Sequence, residues 1–113
     1  MRVNEQRTIR TPERVAACAL DELTDGTARL FVLRQRKIAL ARVGDEVFAV
    51  QDACPHFNGP LSDGTVSVAR KELICPWHRF RFELATGCSV TNPDLKAPTY
   101  PVSIEDGHVF VTV

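Results

Sequence analysis

Cys75-Pro76-Trp77-His78-Arg79-Phe80-Arg81-Phe82-Glu83-Leu84-Ala85-Thr86-Gly87 changes character part-way along. From Arg79 onward, apolar Phe80, Phe82 and Leu84 alternate with charged Arg79, Arg81 and Glu83, so a strand over 79–84 has one buried face and one wet face. Thr86-Gly87 then marks a turn. The first four residues have no such period and place a thiol, a proline, an indole and an imidazole side by side, which is the composition of a loop wrapped around something.

Outward from this stretch, further turn signals stand at Thr24-Asp25-Gly26, Gly44-Asp45, Ser62-Asp63-Gly64, Asn92-Pro93-Asp94 and Asp106-Gly107, the spacing of an all-β sandwich or barrel. The segments between them, 29–34, 38–43, 47–51, 65–68, 100–104 and 109–113, are of strand length and rich in β-branched and aromatic residues. Residues 11–20 admit a short helix, capped by Thr11 with Pro12 at its first position and Glu13 in its first turn, but a strand over 15–18 is preferred. Asp106-Gly107 reads as a type I′ hairpin turn near the C-terminus.

The chain has 113 residues, 44% hydrophobic and 25% charged, which fits one globular domain, 1–113. Fourteen basic and fourteen acidic residues cancel, so the broad positive footprint of a nucleic-acid binder is absent. The apolar runs are far shorter than the roughly 20 residues of a membrane-spanning helix. Met1 to Arg10 carries no apolar core of a signal peptide, so the expected location is cytoplasmic. In a reducing compartment, Cys18, Cys54, Cys75 and Cys88 point to metal or redox chemistry before disulfides.

Cys54-Pro55-His56 and Cys75-Pro76-Trp77-His78 each pair a thiolate donor with an imidazole donor on a proline-stiffened loop. Together they can set two sulfurs and two nitrogens around one small centre. A Cys₂His₂ zinc site uses the same donors, but its usual pattern separates a cysteine pair from a histidine pair. A two-iron, two-sulfide cluster in which two histidines replace two cysteines on one iron needs this set.

The stretches Cys54-Pro55-His56-Phe57-Asn58-Gly59-Pro60-Leu61 and Cys75-Pro76-Trp77-His78 resemble the two cluster-binding loops of Rieske iron–sulfur proteins. Phe80, Phe82, Leu84, Thr86-Gly87, Pro93 and Tyr100-Pro101-Val102 resemble the tail of small soluble Rieske ferredoxins and of Rieske subunits of nitrite-reductase type. The resemblance implies an all-β fold, a β-sandwich base with a small cluster-binding subdomain inserted over about 54–90. It also implies one [2Fe–2S] cluster, with Cys54 and Cys75 on the inner iron and His56 and His78 on the outer. One position departs from the family pattern: Arg79 stands where glycine is usual, and a strand-like backbone there would accommodate it.

Cys18 and Cys88 are expected to be isolated thiols, and His108 a solvated hairpin residue. Trp77 is expected to shield the cluster, and Arg70, Lys71, Arg79 and Arg81 to form a basic, mainly solvated face beside the second loop. The resemblance implies a one-electron carrier, without substrate turnover of its own, that passes electrons from a flavin-dependent reductase to a terminal oxygenase. The alternative is a relay subunit of a nitrite-reductase-type oxidoreductase. Oxygenation by the chain itself is excluded: a 2-His-1-carboxylate iron site needs two further histidines, and only His108 is left. High-potential Rieske proteins carry serine and tyrosine hydroxyls two and four residues after the second ligand histidine. Phe80 and Phe82 stand there, so the expected potential lies low in the roughly −150 to +300 mV range.

Overall fold

The computed structural model describes residues 11–77 and 79–113. His78 and the N-terminal ten residues lie outside it, and with them the reading of 1–10 as lacking a signal segment. Among the described residues, ten strands form three antiparallel sheets. The first joins β1 (Arg14–Ala19), β10 (His108–Thr112) and β9 (Val102–Glu105) in that order. The second runs β2 (Ala28–Leu33), β3 (Arg36–Val43), β4 (Glu46–Gln51), β8 (Thr99–Tyr100). The third is β5 (Thr65–Ser67), β6 (Glu72–Ile74), β7 (Arg81–Glu83). Single 3₁₀ turns occupy Leu20–Glu22 and Leu61–Asp63.

The strand over 15–18 is present as β1 and prevails over the helix. The run 100–104 is not one strand: Pro101, which has no N–H to give a ladder, separates β8 in the second sheet from β9 in the first. The strand expected from Arg79 begins only at Arg81, and β6, too short for a periodic signal, was not expected.

β3 explains the layering. Ile38, Leu40, Ala39 and Ala41 are all fully buried, so both faces of this strand are covered. Ile38 and Leu40 face Val109, Val111 and Leu33, forming the core between the first two sheets. Ala39, Ala41 and Val43 face Val66, Leu73, Phe82 and Leu84, a second core under the third sheet. At about 1.5–3 kcal/mol for each fully buried large side chain, both cores contribute substantially to stability. The part over about 54–90 therefore has a sheet of its own, packed on β3, and is not a set of loops alone.

Asp106 (φ 52°) and Gly107 (φ 76°) form the expected two-residue turn between paired Glu105 and His108. Arg34 (φ 50°) and Gln35 (φ 68°) make the same kind of turn between β2 and β3, where no turn-forming residue announces it. Arg34 has a second role there, donating to the carbonyls of Val113 at 2.6 Å and Thr11 at 3.0 Å.

Candidate metal centre

Both cysteine motifs lie in six-residue loops closed in the same way. Cys54 N–H donates to the Gly59 carbonyl and Cys75 N–H to the Phe80 carbonyl, each at 2.8 Å. The fourth residue after each cysteine, Asn58 and Arg79, has φ 59°. Asn adopts this left-handed conformation readily, whereas Arg does so against a steric penalty. Arg79 thus keeps the backbone of the glycine it replaces, and the strand-like alternative is not what occurs.

The first loop is held at both ends by Asp52. Its carboxylate accepts the Ser62 N–H at 2.6 Å and the Ser62 hydroxyl at 2.9 Å, while its own N–H donates to Lys37 on β3 at 2.9 Å. The second loop is the connection of the β6–β7 hairpin, with Ile74 paired to Arg81 across it. Sequence reasoning missed Asp52, whose only signal was an acidic residue two positions before a cysteine.

These closures bring Cys54 and Cys75 together. Both are 1% exposed, belong to the core under the third sheet, and have side chains within hydrogen-bonding reach of each other. Burial pushes the Cys75 thiol up from 9.0 to about 11; the Trp77 N–H, 3.4 Å from its sulfur, pulls it down, and neighbouring Cys54 raises it again. A buried Cys75 thiol beside a second sulfur favours its neutral form, and a metal that replaces its proton removes that conflict. Gly59 leaves the space they need: a β-carbon there would lie 3.2 Å from the Cys75 sulfur and 3.0 Å from the Trp77 ring. Paired buried sulfurs beside a glycine cradle fit an inner iron.

His56 is half-buried in the first loop, and two phenyl rings contact its imidazole. Phe80 stacks on it at 4.1 Å between centroids with 15° between planes, and Phe57 meets it at 4.2 Å and 50°. Phe57 (59% exposed) and Trp77 (49%) make the outer surface of the two loops aromatic. Trp77 covers Gly59 with one edge and leaves the other to solvent.

The other sequence candidates separate from this site. All four cysteines are unbridged; Cys18 packs against the core between the first two sheets, and Cys88 lies in the segment after β7. His108 is exposed, its Nδ1–H donating to Asp106 at 3.1 Å. The basic face is smaller than expected, because Lys71 pairs with Glu46 at 2.7 Å and Arg81 with buried Glu72 at 2.9 Å. Arg70 and Arg79 remain solvated.

A family model described as a Rieske-like [2Fe–2S] domain matches residues 13–112. The chain belongs to this family. Its cofactor is accordingly a Rieske [2Fe–2S] cluster. The chain is 38% identical over 96 residues to the ferredoxin subunit of anthranilate 1,2-dioxygenase from Burkholderia cepacia, covering 84% of this chain and 87% of that one. Among solved Rieske structures, the oxidised ferredoxin in its complex with the reduced oxygenase of carbazole 1,9a-dioxygenase superposes with a TM-score of 0.78 at 29% identity, over 88% and 92% of the two chains. A protein assigned as an NADH-dependent nitrite reductase small subunit from Mycobacterium tuberculosis superposes with a TM-score of 0.84 at 26% identity, over 92% and 97%. Among the described residues no helix is long and apolar enough to cross a membrane.

Proposed function

We propose that this chain is a single Rieske module acting as a cytoplasmic one-electron carrier between a flavin-dependent reductase and a terminal oxygenase. The observation that carries the site assignment is the convergence of two identically closed loops on the buried Cys54–Cys75 pair, with His56 at their outer edge. On this reading Cys54 and Cys75 hold the inner iron, and His56 and His78 the outer. A cluster so held takes up and returns one electron, at a potential raised by having neutral imidazoles in place of two thiolates.

The chain's own residues supply the rest. The paired loops and the Asp52 clamp keep the donors in register, the core under the third sheet keeps water from the sulfurs, and Phe57 and Trp77 offer a partner an apolar surface beside His56. The ferredoxin relative solved with its oxygenase supports the acceptor class. The nitrite-reductase small subunit supports a second reading, in which the same module is a fixed relay.

Purified protein is expected to hold two irons and two acid-labile sulfides. Cys54→Ser and Cys75→Ser should abolish the cluster, and His56→Ala and His78→Ala should strip or badly destabilise it. Stoichiometric zinc without sulfide would overturn the assignment. In stopped-flow mixing, the reduced protein should be reoxidised by a terminal oxygenase and should turn over neither an aromatic substrate nor nitrite alone. Co-purification with a nitrite-reductase large subunit would favour the relay.

A further inference from the structure

Phe80 reaches out of the second loop toward the first. Its ring lies nearly parallel to the His56 imidazole, 4.1 Å away with 15° between planes, while Phe57 closes on the same imidazole at 4.2 Å and 50°. The two contacts differ in kind. Phe57 neighbours His56 in the chain and is 59% exposed, so it travels with the first loop. Phe80 is anchored elsewhere: its carbonyl accepts the Cys75 N–H, β7 begins at the next residue, and its side chain packs against the core that holds both cysteines.

An imidazole on a loop can swing about its Cβ–Cγ bond, and a flat ring fixed in near-parallel contact removes that freedom, because tilting opens the contact on one side and collides on the other. We propose that Phe80 is a positioning residue for His56: the stack sets the plane in which the imidazole presents its ring nitrogen to the outer iron and screens one face from water. The inference rests on the reading of His56 as an iron ligand. A screened face offers less solvent stabilisation to the more negative reduced cluster, so Phe80 holds the midpoint down through its ring, beyond the missing hydroxyl at its position. A phenyl group serving only as core filling would affect stability and leave the outer iron's spectroscopy unchanged.

The cluster-loaded protein and its Phe80→Ala, Phe80→Leu and Phe80→Trp variants separate these roles by EPR line widths, pulsed-EPR histidine-nitrogen couplings and voltammetry. Leu keeps an apolar cover and loses the flat plate, so its EPR lines should broaden and one nitrogen coupling change while the midpoint stays close to the parent. Ala should broaden the lines, raise the midpoint and shed the cluster several-fold faster. Trp should restore narrow lines. Parent-like lines and couplings in Leu and Ala, or lines in Trp as broad as in Ala, would overturn the proposal; if the Ala variant fails to load, Leu and Trp decide it. His56→Ala, assayed for iron and sulfide, keeps the two questions apart. A fully loaded His56→Ala protein refutes the ligand reading and the proposal with it, whereas a stripped one beside spectroscopically silent Phe80 variants refutes the positioning role alone.

Discussion

Asn58 and Arg79 hold the same φ of 59° four residues after Cys54 and Cys75, but the two side chains tolerate it differently. The carboxamide of Asn is among the few side chains that visit this region routinely, and Arg gains nothing comparable. Arg79 is exposed and makes no ion pair among the described residues, so no such partner there offsets the backbone strain. Arg79→Gly should therefore be tolerated, and Arg79→Val, which adds branching at Cβ, should be less stable than Arg79→Gly by about 1 kcal/mol. Urea denaturation of the cluster-free chain measures the difference, and a Val variant as stable as the Gly variant would show that the second loop relaxes out of the left-handed region. Two positions that look alike in sequence, Phe80 and Phe82, have different surroundings. Phe82 is 1% exposed and belongs to the core, while Phe80 lies against His56, so on the proposed ligand set only Phe80 is placed to influence the outer iron directly.

At the scale of elements, the third sheet divides what the metal must organise from what folds without it. Val66, Leu73, Phe82, Leu84 and Leu61 bury themselves against β3, and this burial needs no ligand. The loop tips around His56, Phe57, Trp77 and Arg79 bury little, so on the proposed ligand set their order is expected to follow metal binding. Hydrogen exchange on cluster-free protein should lose protection at 56–58 and 77–79 and retain it through β5, β6 and β7. Loss throughout the third sheet would mean that the metal organises the whole inserted unit. The segment after β7 is fixed independently: Gly87, at φ 79°, brings its α-carbon so close to Ala97 that an added β-carbon would run into the Ala97 carbonyl.

For the whole molecule, β3 is the shared wall of both cores. Leu40 points toward Val109 and Val111, away from the third sheet, yet its strand neighbours Ala39 and Ala41 carry that sheet. Leu40→Ala should cost about 2–5 kcal/mol. Because one strand serves both cores, the loss should lower the unfolding midpoint seen by circular dichroism and by Trp77 fluorescence together, Trp77 being the only tryptophan. A Trp77 transition unmoved by Leu40→Ala would mean that the third sheet unfolds on its own.

The all-β class, most strands, the Asp106-Gly107 turn and the two Cys/His motifs were legible in the chain, because each is written in local chemistry: period-two alternation, turn residues, and donor atoms a few residues apart. Its reach ended where partners far apart in the chain decide the outcome. Arg34-Gln35 turns against its own preferences because Leu33 and Arg36 are paired in a ladder anchored by the burial of β2 and β3. Tyr100 and Val102 part into different sheets because Pro101 cannot continue either ladder, and β6 exists because β5 and β7 flank it. Arg79 is forced left-handed by a loop that must close on Cys75, and Phe80 finds His56 across 23 residues of intervening chain. Such placements come from packing several strands around β3, and no window of sequence contains both sides of those contacts.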